Sequence, residues 1–289
     1  MHCHALLTCP LSLNNARRRA SGVSKQNSCK SLSLRICPPP NIHPQEQLVE
    51  EQENFGDLVQ EDFLDSYANL TVKSVMLLKW FTQTCEKGAK GPQYVLKTDD
   101  DMYINLVKLW ELVQANKKPQ LLMGSLICNA VPIKDPYNKW YVPKYMFAER
   151  RYPNYLSGTA YLMSRQALAA LYQASFDSPL FHLEDIYVTG LLARKAGIRA
   201  QDHIGFSYTR RKLNSCLFRQ TVSTHHVKHN EMRAIYQKLE SSRSSKCLPI
   251  RSKQLREYGP GKCKWPSSAS VAKSRKPKVR VLVPPPPHP

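Results

Sequence analysis

Three adjacent carboxylates, Asp99-Asp100-Asp101, stand two residues beyond the apolar run Tyr94-Val95-Leu96. Like charges this close repel, so a folded chain keeps them at a strand end where a cation offsets them. Carboxylate oxygens suit hard divalent ions such as magnesium and manganese, commonly alongside substrate phosphates. An isolated acidic triplet also serves as a solvated turn capping the next helix. Its place directly after a buried strand favours metal, because α/β sheets bind ligands at the carboxyl ends of their strands. A second pair of acids lies in His182-Leu183-Glu184-Asp185-Ile186-Tyr187. Acids in a first helical turn complement the helix dipole; set in a pocket, one of them takes a proton from an attacking hydroxyl. The third candidate is His225, in Thr224-His225-His226-Val227-Lys228-His229. Neutral imidazole ligates manganese or zinc. His225 and His229 are spaced i, i+4, but no Glu follows the first His as in zinc peptidases.

The elements that must position these groups follow an α/β pattern from Glu53 onward. Asp57-Leu58-Val59 is a short strand, and Ser66 to Cys85 has helical apolar spacing. Residues 87–92 form a turn before the strand Tyr94-Val95-Leu96. A helix from Leu106 to Ala115 precedes the strand Leu121-Leu122-Met123-Gly124. Asp135–Tyr155, rich in Tyr, Trp and Pro, reads as a loop-built pocket wall. Gly158–Ser164 returns to strand and Arg165–Ala174 to helix. A helix from Leu183 through Lys195 closes at Gly197, and Asn230–Leu239 is the last helix. Alternating strands and helices predict a mostly parallel sheet covered on both faces.

The formal charge of +20 sits mainly at the two ends. Residues 1–45 carry six Lys/Arg and no acid; residues 243–289 carry twelve against Glu257 alone. The middle is therefore a near-neutral globular domain, predicted over 53–242. The flanks, 1–52 and 243–289, bury too little apolar surface to offset ordering and read as unstructured basic tails. Nucleic-acid or polyanion binding through those tails is one function class, but the interleaved aromatics of a stacking platform are missing. Nine cysteines form no CxxC pair, which argues against a zinc ribbon. Cys85, Cys128 and Cys216 fall in the middle region, where three cannot all pair among themselves. Asn69-Leu70-Thr71 is an acceptor sequon for N-glycosylation. No run of eighteen apolar residues occurs, and Met1–Leu13 makes a poor signal peptide.

Taken together, four segments in order resemble the β-1,3-galactosyltransferases and related β-1,3-N-acetylglucosaminyltransferases. They are 55–73 (beginning Phe55-Gly56-Asp57-Leu58-Val59), 96–105 with the acidic triplet, 152–164 (Tyr152-Pro153-Asn154-Tyr155-Leu156-Ser157-Gly158 and onward) and 184–190 (Glu184-Asp185-Ile186-Tyr187). The resemblance covers about 53–240. It implies a GT-A-type α/β fold, a Rossmann-like mixed sheet flanked by helices, and an inverting, Mn2+-dependent transfer of a hexose from a UDP-sugar, UDP-galactose foremost and UDP-N-acetylglucosamine the alternative. The acceptor is a glycan hydroxyl on a glycoprotein or glycolipid, and the linkage β-1,3. By similarity Asp101 and His225 bind manganese, while Lys97, Asp99 and Asp100 support the nucleotide. Asp185 is the general base, and Trp140, Tyr155, Gly158 and Glu184 line the sugar pocket. The family implies a Golgi membrane protein with an anchor that this sequence does not contain. Nothing in 1–52 resembles the family's first strands, so the expectation is an N-terminally truncated sheet. A family member that binds only UDP or glycan, without transfer, is the alternative.

Overall fold

The computed structural model describes residues 42–85, 91–212, 214–241 and 247–249, and the strands 3–8 and 31–34, with side chains from residue 46 onward. The chain forms β1 (Cys3–Thr8), β2 (Ser31–Leu34), α1 (Ile42–Phe55) and the short β3 (Leu58–Val59). A 3-10 turn, Tyr67–Asn69, leads into α2 (Leu70–Thr84), followed by β4 (Tyr94–Asp99), β5 (Tyr103–Ile104) and α3 (Leu106–Ala115). Then come β6 (Leu122–Ile127), β7 (Tyr155–Ser164) and α4 (Arg165–Ser175). The next helix, α5, starts as Glu184–Ile186, widens to a π-helix over Tyr187–Leu192 and ends as Ala193–Lys195. Last are β8 (Gln201–Asp202), α6 (Ser215–Gln220), β9 (Ser223–Thr224) and α7 (His229–Ser241).

Seven strands make one sheet in the order β3-β2-β1-β4-β7-β6-β8, and β5 pairs with β9. The α/β mixed sheet flanked by helices agrees with the sequence expectation; the strand directions do not. Within the seven-stranded sheet four pairings are antiparallel (β1 with β2 and β4, β7 with β4 and β6), and β2–β3 and β6–β8 are parallel. Alternating strands and helices did not imply parallel neighbours here, because the long loop at 128–154 lets β6 return as antiparallel β7 without a crossover helix. The expectation of an unstructured 1–52 also differs at three stretches: β1, β2 and α1. On that side β1 pairs along the whole of β4, from Thr8 opposite Tyr94 to Cys3 opposite Asp99, which gives the central strand's edge a partner.

Both faces of the sheet are apolar. Val95, Leu122, Tyr161 and Met163 face α2, α4 and α5, against Leu77, Leu78, Phe81, Leu168 and Leu171. Leu96, Met123, Ala160 and Leu162 face α3 on the other side, with Leu109, Leu112 and Val113. Residues one apart on β4 therefore enter opposite cores, as strand alternation requires. Caps set the helix starts: Asn105 Oδ1 accepts from Lys108 N–H at 3.1 Å, and Ser164 Oγ accepts from Ala167 N–H at 3.2 Å. Gly197, at φ +70°, closes α5 as predicted, with Ile198 N–H returning to Ala193 O at 2.8 Å.

Cys216 on α6 is disulfide-bonded to Cys247, across a sequence separation of 31. Part of the segment predicted as a tail is thus tied to the domain; most of 243–289, and with it the expected disorder, lies outside the described residues. Closing a loop of this length stabilises by about 3–4 kcal/mol through the unfolded chain. Cys247→Ser is therefore expected to lower unfolding stability by that amount, read by denaturant titration under oxidising conditions against wild type.

Candidate active site

The strand β4 carries Val95, Lys97 and Asp99 on one face. Its position in the middle of the sheet buries the Lys97 stem, leaving the side chain 5% exposed. Lys97 Nζ donates to Asp99 Oδ1 at 2.7 Å and to the carbonyl of Gly158 on β7, and lies 4.0 Å from Glu184 Oε2. Glu184, the first residue of α5, accepts at Oε1 from the Tyr161 hydroxyl at 2.6 Å. One ammonium therefore joins two strands and a helix. A buried lysine keeps its charge only with such partners.

Next to this hub, Asp185 is half-buried. Burial first, then the adjacent Glu184 charge, push its carboxyl up to about 7, against the pull of the Ile186 and Gly158 N–H groups and Lys97. Those N–H donors lie 2.8 Å from Oδ1 and 3.4 Å from Oδ2. A carboxylate that titrates near neutrality is matched to accepting a proton from a hydroxyl. Two features let α5 bring it there. A Cβ on Gly158 would stand 3.3 Å from the Asp185 Cβ and 3.4 Å from Glu184 Oε2, so β7 approaches only through a glycine. Within the π-helical stretch, Thr189 donates its hydroxyl to the Asp185 carbonyl at 2.6 Å and accepts from Leu156 N–H at 2.8 Å; π-bulges often mark functional sites.

Around Asp185 stand tyrosines that sequence reasoning placed only in part. Tyr155 is buried, its ring edge-on to Tyr152, so it is a wall of the site rather than an open stacking face. Tyr152 is 7% exposed; burial and the Asp185 charge push its hydroxyl up to about 12, and among the described residues that hydroxyl has no hydrogen-bond partner. Tyr67, which sequence reasoning left unassigned, comes from the turn before α2. Burial, then Asp185, Asp99 and Glu184, raise its hydroxyl, while a bond from Trp140 opposes them. Trp140 is exposed and donates its Nε1–H to Tyr67 at 2.8 Å. The one available signal for Tyr67 was its place in the 55–73 segment.

The second cluster lies past the end of β4. Asp101 Oδ2 is 3.2 Å from His225 Nε2 and 3.3 Å from His226 Nδ1, and the three ligand atoms lie within 4.8 Å of one another. Two atoms each about 2.1 Å from one ion at right angles are about 3 Å apart, so this set fits a metal. His225 Nδ1 stands 2.8 Å from the Tyr208 carbonyl. A carbonyl only accepts, so Nδ1 carries a hydrogen and Nε2 is the nitrogen turned to the carboxylate. A backbone carbonyl on the other ring nitrogen is also the usual support of a metal-bound histidine. Val227 N–H donates to the Asp101 carbonyl at 2.9 Å, and His225 N–H to Thr209 O at 3.4 Å, pinning the loops that carry the cluster. Acid-triplet capping of α3 is excluded, because Asn105 caps it.

Residues 43–203 match the model of the Galactosyltransferase family. The chain belongs to the galactosyltransferase family. It is 34% identical over 204 residues to human beta-1,3-galactosyltransferase 1, covering 70% of this chain and 61% of that protein. It is 35% identical over 208 residues to human beta-1,3-galactosyltransferase 5, covering 71% and 66%. The chain thus spans about three fifths of the length of these relatives.

In this galactosyltransferase domain the residues singled out from sequence fall into two groups. Lys97, Asp99, Gly158, Glu184 and Asp185 meet in the first, Asp101 and His225 in the second. Asp100 sits between them at the turn after β4. The Asn69 sequon lies apart: Asn69 Nδ2 donates to Leu64 O at 2.9 Å, and the buried Thr71 hydroxyl to Phe181 O at 2.6 Å. Both groups of the sequon serve the fold. No helix among the described residues is long and apolar enough to cross a membrane.

Asp185 also bears on stability. Its folded pKa of about 7 exceeds the unfolded 3.8, so the folded state holds the extra proton between them and stability falls as pH rises through that window. Asp185→Asn removes the buried charge. Thermal unfolding of this variant should occur above wild type at pH 8, with the difference shrinking as pH falls through that window and little remaining below about pH 4.

Proposed function

We propose that the chain transfers galactose from UDP-galactose to a glycan hydroxyl in β-1,3 linkage, with inversion, using Mn2+. The observation that carries this reading is a half-buried aspartate whose carboxyl is pushed up to about 7, in a domain of the galactosyltransferase family that also brings Asp101 against two imidazoles. Asp185 takes the proton from the acceptor hydroxyl as its oxygen bonds to the anomeric carbon and the bond to UDP breaks. Glu184 and Lys97 hold Asp185 in register, and Lys97 also orients Asp99 toward the nucleotide, with Asp100 beside it. Asp101 and His225 hold the metal, whose positive charge stabilises the diphosphate leaving group when bound. Trp140 and Tyr67 offer an exposed edge for the acceptor sugar, and Tyr152 a donor without a partner. The Golgi membrane and a membrane anchor are the setting that goes with this chemistry.

Turnover of UDP-galactose by the purified chain, with UDP-N-acetylglucosamine alongside and chelator as control, tests the reading. Transfer that stops with chelator supports it; a cooperatively folded chain that turns over neither donor overturns it in favour of a binding-only member. In the same assay Asp185→Asn should lose roughly 10²–10⁴-fold in transfer while keeping Mn2+-dependent UDP binding. Asp101→Ala should lose that binding.

A further inference from the structure

Within Asp101, His225 and His226, sequence reasoning assigned only two members. His226 adds a strained backbone, with φ +55° in a residue that has a Cβ. Such conformations persist where the surroundings over-determine them, and they gather at functional sites. Here the Arg210 guanidinium donates to the His226 carbonyl at 2.9 Å and is itself paired with Glu231 at 2.6 Å. The next N–H, of Val227, goes to the Asp101 carbonyl. The two imidazoles stack at 3.7 Å with 24° between their planes, and a nitrogen of each converges on the same Asp101 oxygen.

We propose that His226 is a third protein ligand of the ion held by Asp101 and His225. The Asp-His-His set then loads a divalent transition metal before any nucleotide arrives. Two imidazoles also bias the site toward Mn2+, Co2+ or Zn2+ and away from Mg2+ and Ca2+, which favour all-oxygen shells. The inference rests on the metal reading of Asp101 and His225 given above.

The test is titration of Mn2+ into the full chain without nucleotide, followed by calorimetry and electron paramagnetic resonance, with His226→Gly beside wild type. Glycine accepts a positive φ freely, so this variant should unfold at or above the wild-type temperature in the absence of metal. Mn2+ should bind wild type without UDP, resist displacement by a hundredfold excess of Mg2+, and show couplings to two imidazole nitrogens. His226→Gly should bind at least about tenfold more weakly and show one coupling. Equal Mn2+ affinity in the two proteins, or a single nitrogen coupling in wild type, overturns the third ligand and leaves the Asp101–His225 site standing. No Mn2+ binding to wild type, with or without UDP, overturns both.

Discussion

Lys97 is a charge in the middle of a sheet, and much of the site's geometry depends on how that charge is satisfied. Its ammonium contacts Asp99 on its own strand, the Gly158 carbonyl on the neighbouring strand and, more distantly, Glu184 at the start of α5. Removing it would leave acids facing one another without a cation in a partly dry environment, the arrangement that costs most in a folded protein. With it in place Asp99 and Glu184 share a positive charge, while burial first and the Glu184 charge second push the neighbouring Asp185 carboxyl up to about 7 against the pull of Lys97. The electrostatics that stabilise the strand–helix junction also set the basicity available there.

Two close approaches make that junction possible. Gly158 lets β7 lie against Asp185, and Gly190, whose Cβ would meet the Tyr155 Cβ at 3.1 Å and the Pro153 ring at 3.3 Å, lets α5 settle onto the aromatic wall. The wall consists of Tyr152, Tyr155, Phe147 and Phe181 packed edge to face, stiff enough to hold a carboxylate in one orientation. Asp185 therefore stands on packed elements while Trp140 and Tyr67 occupy the exposed rim.

The Asp101–His225–His226 cluster is built differently, from loops held by backbone bonds. Arg211 is buried and donates to the Ile204 and Phe206 carbonyls, which stiffens the segment that presents the Tyr208 and Thr209 carbonyls to His225. The Cys216–Cys247 disulfide encloses β9 and both imidazoles in one covalent loop. Loop-borne ligands thus gain the order that the sheet supplies to Asp99 and Lys97.

The sequence alone determined the elements and the groups able to do chemistry. An acidic triplet after an apolar strand, Glu184-Asp185 at a helix start, and the break at Gly197 are local patterns, and local patterns survive folding because they are set by backbone sterics and by side chains a few residues apart. Strand direction, the pairing of Cys216, the burial of Tyr155 and the arrival of Tyr67 beside Asp185 were decided only by the tertiary structure. So was the difference between His225 and His226, adjacent residues of one type. The first is told apart by a carbonyl seventeen positions away, and the second by a left-handed turn that aims its ring at the same oxygen. Proton affinity and metal affinity at these groups depend on distances between residues remote in the chain, and no spacing along the sequence encodes those distances.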